Sequence, residues 1–282
     1  MNGPPDPAVV FDGVTLAYGD YAAVRRLSGS FARGSLTAIV GPNGSGKSTL
    51  IKGMAGLLRP VAGLIQSGGL TRSGIAYLPQ NAEIDRRFPI SVIQTIVLGH
   101  WRRIGWARAA SRQLRERAQQ AVVAVGLEGF ERQPIETLSA GQFQRVLFAR
   151  LIAQDAELIL LDEPFAAVDW RTSEDLLQLI ARWHDESRTV AAVLHDLDQV
   201  RAYFPETLLL AREPVAWGPT RDVLKPSNLR RARQISEMWS GDAGDDAPVA
   251  AGSAPQPRAV PVNGGKDELS WREDHGSGRS LR

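Results

Sequence analysis

The stretch GPNGSGKST, residues 41–49, decides the fold. It fits G-x-x-x-x-G-K-[ST] and lies between an apolar strand-like run, SLTAIV, and a helical run, KSTLIKGMAGLL. Glycines let consecutive backbone amides converge on phosphate oxygens without side-chain interference. Gly41, Pro42, Asn43, Gly44, Ser45 and Gly46 form that cradle, Lys47 and Thr49 complete it, and the Ser48 hydroxyl can ligate Mg2+. The helix that follows is expected to place Leu50, Met54, Leu57 and Leu58 on one face.

Working outward, residues 8–40 alternate short β-rich runs with turns, and 61–80 read as short strands separated by glycines. From Ser91 to about Leu127 the pattern becomes helical. ETLSAGQFQRV at 136–146 reads as a helix start, with Ser139 and Gln142 forming a capping box. The apolar strand LILLDE at 158–163 follows, delivering Asp162 to a magnesium shell and leaving Glu163 to polarise a water. A helix over 172–184 and the strands TVAAVLH and TLLLA complete a β/α alternation, which predicts a mainly parallel sheet.

Composition narrows the class of protein. Apolar residues make up 43% of the 282 and the formal net charge is +2, so no global field argues for nucleic acid as a partner. There are no cysteines, which excludes disulfides and thiolate metal sites. MNGPPDPAVVFDGV lacks the basic-then-apolar order of a signal peptide, and no apolar run reaches the roughly 18 residues of a membrane span. The simplest expectation is a cytoplasmic protein whose membrane partner, if it has one, supplies the spans. His100, His184 and His275 are scattered without metal-ligand spacing. After about Trp239 the composition turns rich in Gly, Pro, Ala and Asp without apolar period, predicting a disordered tail over 240–282.

LSAGQ, FQRVLFARLIAQD and LILLDEP together resemble the signature region of the ATP-binding-cassette (ABC) ATPases, whose usual form is LSGGQ. The resemblance spans residues 9 to about 217 and implies a P-loop α/β fold of ABC-ATPase type. That fold has a mainly parallel core, an antiparallel β-subdomain and a helical subdomain inserted at about 91–155, all within a domain over 8–239. It further implies that Tyr18 stacks on adenine and that Ser48, Gln80 and Asp162 surround Mg2+. Glu163 and His195 are then catalytic, His195 as the γ-phosphate sensor. Ser139, Gly141 and Gln142 contact the ATP of a second copy in a head-to-tail homodimer. The departures are Ala140 for the first signature glycine, and Ala166-Ala167-Val168-Asp169 for the usual Ser-x-Leu-Asp.

Within the family, DRRFPISV, FAAVD and VLHDLDQVRAYFPETLLLAREPVAWGP resemble the manganese and zinc importer branch, nearest to zinc-import ATPases of the AztA kind. That implies an ATPase on the cytoplasmic face of the inner membrane, energising uptake of zinc or manganese. The permease would dock on Gln80 to Phe88, with Asp85, Arg86, Arg87 and Phe88 lining its groove. An extracytoplasmic metal-binding protein would act indirectly. The alternatives are an iron-chelate or haem importer, or a soluble ABC protein acting on ribosomes or DNA. Against the last, the chain has one phosphate loop and fewer than about a hundred residues between that loop and the signature, too few for a long coiled-coil insertion.

Overall fold

A computed structural model describes residues 6–80, 86, 88–99, 111–166 and 168–241. Asp85, Arg87, Ala167, His100, His275 and the segment from 242 onward lie outside the described residues.

Two sheets organise the chain. The larger has the order β5 (Ile75–Leu78), β6 (Leu158–Asp162), β7 (Thr189–Val193), β3 (Leu36–Val40), β8 (Glu206–Ala211), β9 (Glu213–Pro219). All neighbours in it run parallel except β8 and β9. The smaller is antiparallel, with β1 (Pro7–Tyr18) flanked by β2 (Tyr21–Ala32) and β4 (Ala62–Gln66). The mainly parallel core and the antiparallel sheet are both as the sequence predicts.

Every residue of β3, β6 and β7 is buried, as expected of parallel strands covered on both faces. Their period-2 alternation divides the apolar side chains between two cores. Ala38, Val40, Ile159, Leu161, Val190 and Ala192 face one way, into a core closed by helices α2 (Val92–Leu98), α3 (Arg112–Ala124), α4 (Ala140–Gln154) and α5 (Trp170–Asp185). Ile39, Leu158, Leu160, Ala191 and Val193 face the other, against the antiparallel sheet and helix α1 (Lys47–Met54). Helices α2, α3 and α4 pack on one another. Past β7 come α6 (Leu197–Tyr203) and, after β9 and a single helical turn, α7 (Pro226–Gly241), which packs on β8 and β9.

One detail corrects the sequence reading. Helix α1 ends at Met54 because Gly56 turns left-handed, with φ 68°. Leu57 is thereby sent to solvent, 55% exposed, while Leu58 still packs partly against the second core. No helix among the described residues is long and apolar enough to cross a membrane.

Phe148 is fully buried and stacks on Trp183, with centroids 5.7 Å apart and planes 12° from parallel. Replacing Phe148 with Ala should cost about 3–5 kcal/mol of stability by denaturant unfolding. The same change at Phe88, 60% exposed, should stay within about 0.5 kcal/mol.

Candidate active site

Parallel strands deliver their carboxyl ends to one edge of a sheet, and ligands of such folds bind there. In the order β5-β6-β7-β3, that edge receives Gln80 after β5, Asp162 and Glu163 from β6, His195 after β7 and the loop 41–49 after β3. A cleft of about 640 Å3 opens on it, lined by Tyr18, Tyr21, residues 43–49, Gln80, Glu163 and His195.

The loop is shaped by backbone needs. Gly41 has φ 155°, and a Cβ there would sit 1.9 Å from the Leu210 carbonyl oxygen. Gly46 has φ 93° and its missing Cβ would meet the Ala23 oxygen at 2.3 Å. Gly46 also occupies the cap position of α1 and supplies no side chain, leaving the first amides of that helix for an anion. The Ser45 hydroxyl is buried and has no hydrogen-bond partner among the described residues, which leaves it available to a ligand oxygen. Lys47 donates to the carbonyls of Gly41 and Pro42 at 3.0 and 2.9 Å. Burial lowers its ammonium below the ordinary lysine range, only partly countered by the charges of Glu163 and Asp162.

Across the cleft the Ser48 hydroxyl donates to Asp162 Oδ1 at 2.8 Å. Burial, the strongest influence, pushes the Asp162 carboxyl up; the Ser48 bond opposes this and the neighbouring Glu163 charge adds to it. A buried carboxylate raised in this way gains from a cation nearby, and Ser48 and Asp162 are the hard oxygen donors that Mg2+ takes. Glu163 has φ 50°, a left-handed conformation costly for a residue with a Cβ and typical of functional positions. Its two oxygens are engaged by Gln80 Nε2 at 2.7 Å and His195 Nε2 at 2.7 Å.

The signature stretch is placed elsewhere. Ser139 Oγ accepts from the Gln142 amide at 3.2 Å, and Gln142 Oε1 accepts from the Ser139 amide at 2.9 Å, so the expected capping box is formed. Ser139 is exposed, and Ser139, Gly141 and Gln142 do not line the cleft. Gly141 does face a close neighbour, but within the chain: a Cβ there would lie 3.1 Å from Thr172 Oγ1. Thr172 in turn donates through its amide and hydroxyl to Asp169, at 2.9 and 2.8 Å.

Other residues depart from the sequence reading. Arg86 has partners inside the chain that its place in a charged loop did not announce: its guanidinium donates to the Leu138 carbonyl and lies 4.9 Å over the Phe143 ring, bracing the start of α4. Phe88 does stand exposed. Tyr21, which sequence reasoning passed over, lines the cleft beside Tyr18; the two are cross-strand partners around the turn at 19–20. His184 is structural, its Nδ1 paired with the Gly34 carbonyl at 2.8 Å. No group of three or more His, Cys, Asp or Glu among the described residues could hold a metal ion.

A phosphate cradle at a parallel-sheet edge, facing a polarised carboxylate, defines a P-loop nucleoside triphosphatase. Residues 24–166 match the model of the ABC transporter family, and the chain belongs to that family as its ATP-binding, ATP-hydrolysing cassette. It is 38% identical to the manganese transport system ATP-binding protein MntB of Listeria monocytogenes, across 78% of this chain and 93% of that one. It is 35% identical to the zinc transport system ATP-binding protein TroB of Treponema pallidum, across 80% and 86%. Among solved structures it matches the dimeric, post-hydrolysis ATP-binding cassette MJ0796 bound to ADP and Pi. There the TM-score is 0.65 and the identity 26%, over 76% of this chain and 99% of that one.

Ser139→Ala removes the cap and should cost about 1 kcal/mol in unfolding experiments, with Ser139→Asp close to the parent. Binding of ATP by the separate chain should be unchanged in either variant, since Ser139 is not in the cleft.

Proposed function

We propose that this chain is the energy-coupling ATPase of an importer of divalent metal ions, zinc in the first place and manganese in the second. The observation that carries the hydrolytic part is the meeting of Gln80, Glu163 and His195 at the mouth of the phosphate loop. The cargo part is supported by the manganese and zinc transport systems named for the relatives.

In this reading the amides of 41–49 and the Lys47 ammonium hold the phosphates of ATP, and the Tyr18 ring takes the adenine. Ser48, Gln80 and Asp162 would hold Mg2+, which neutralises charge on the outer phosphates. Glu163 orients a water in line with the γ-phosphorus and takes its proton as the new P–O bond forms and the bond to the bridging oxygen of ADP breaks. His195, already paired with Glu163, donates to the γ-phosphate. Ser139, Gly141 and Gln142 of a second copy close over the same phosphate, and two-fold symmetry makes two such sites per dimer. That the similar cassette MJ0796 is dimeric supports the two-copy assembly. Opening and closing pass through the segment from Gln80 to Phe88 to an integral-membrane permease, with the cassette peripheral on the cytoplasmic face. Arg86 gives that segment a direct grip on the carbonyl of Leu138, next to Ser139. Choice of metal is assigned to the permease and to an extracytoplasmic binding protein.

Glu163→Gln should lower phosphate release by roughly 10²–10⁴-fold while ATP shifts the variant to dimer size in gel filtration. Release at the parent's rate would refute the role of Glu163. With the permease in vesicles, ATP-driven uptake should favour zinc over manganese and over iron chelates; the reverse order would correct the cargo.

A further inference from the structure

Helix α7, the last among the described residues, reaches the phosphate loop. Leu229, Ala232 and Arg233 of α7 line an apolar crevice of about 230 Å3 with Gly41, Pro42 and His195. Two turns further on, Ser236 and Trp239 line a second cleft of about 390 Å3 with Asn43, Gly44, Ser45, Arg212 and Tyr21. Tyr21 also lines the nucleotide cleft, so its ring is a wall shared by both spaces.

That wall is held by a chain of stacked groups. The Arg212 guanidinium lies 4.5 Å over the Tyr21 ring and donates to the Tyr21 phenol oxygen at 2.6 Å. The same guanidinium lies 5.1 Å from the Trp239 ring centre, and Arg25 lies 4.2 Å over that ring. Arg212 itself is fixed by its backbone: it has φ 60°, its amide donates to the Ser45 carbonyl at 2.9 Å, and its carbonyl accepts from the Arg25 amide at 2.7 Å. Tyr21 is 47% exposed, so without this bracing its ring would be free to leave the cleft wall. Tyr18 and Tyr21 stand opposite one another in register, which puts both side chains on the same face of the hairpin.

We propose that Arg212 and Trp239 are positioning residues for the nucleotide: acting through Tyr21, they pre-set the base end of the cleft, so that the C-terminal helix sets the affinity for ATP. This rests on the reading of the cleft as the ATP site. Neither residue lines the cleft read as the ATP site. Their loss therefore weakens binding of the whole nucleotide, where the base contributes, and spares binding of its phosphate chain alone. A ring already held in place gives up less freedom when the ligand arrives.

The test uses the full chain, with ATP and inorganic tripolyphosphate as probes. Trp239→Ala should raise both the Kd and the KM for ATP roughly five- to tenfold, with kcat changed less than twofold and tripolyphosphate affinity unchanged. Trp239→Phe, which keeps an aromatic face, should behave as the parent. Arg212→Lys keeps the charge but loses the planar stack, and should move ATP affinity in the same direction as Trp239→Ala; it carries the test if Trp239→Ala does not fold. Equal weakening of ATP and tripolyphosphate, or no weakening of either, would overturn the proposal, provided Lys47→Ala abolishes ATP binding. ATP binding that survives Lys47→Ala would instead overturn the reading of the cleft itself.

Discussion

The phosphate loop and the acid-bearing strand are joined by a hydrogen bond, Ser48 Oγ to Asp162 Oδ1 at 2.8 Å. Ser48 lies in the first turn of α1, which follows β3, and Asp162 ends β6; these strands are not neighbours, since β7 lies between them in the sheet. The bond therefore spans the sheet edge at the place where the reacting groups gather. It holds a buried carboxylate that burial pushes toward its neutral form, next to a lysine that burial pushes toward its neutral form as well. In the proposed reading, a triphosphate would bring charge that favours the ionised form of Lys47, and a divalent cation would do the same for Asp162.

The same logic explains why catalysis and assembly are tied together in our account. Gln80 and His195 hold Glu163 from two sides within one chain. The exposed helix start at Ser139 satisfies its own capping needs and lies outside the cleft. A cap made only by hydrogen bonds between Ser139 and Gln142 can be exchanged for bonds to a phosphate without disturbing the buried part of α4. Val146, Leu147 and Phe148 keep that helix fixed in the core while its first turn changes partners.

Much of this was legible in the sequence, for identifiable physical reasons. Phosphate loops and doubly covered strands are encoded locally: glycines where φ must be positive, and unbroken apolar runs where both faces are buried. The Ser139–Gln142 capping box is equally local, set by two residues three apart. What escaped the sequence depends on tertiary placement. Arg86 reads as one member of a charged loop, and only packing shows that it turns inward to Leu138 and Phe143. Leu57 fits the helical period of α1, but Gly56 ends the helix first. Tyr21 gains its place from the register of a hairpin. Helix α7, which runs to Gly241, is held by its packing on β8 and β9, and local pattern does not report that packing.

The central claim is that one ATP site is completed by two chains. The absence of cysteines makes this directly measurable by engineered cross-linking. Asn43, exposed at the phosphate loop, is replaced with Cys in one population, and Ser139 with Cys in another, both in the Glu163→Gln background. The mixed populations are treated with a short thiol cross-linker, with and without ATP. The account predicts a covalent dimer joining one variant to the other, formed only with ATP. A cross-link that forms equally without nucleotide, or none at saturating ATP, would contradict it.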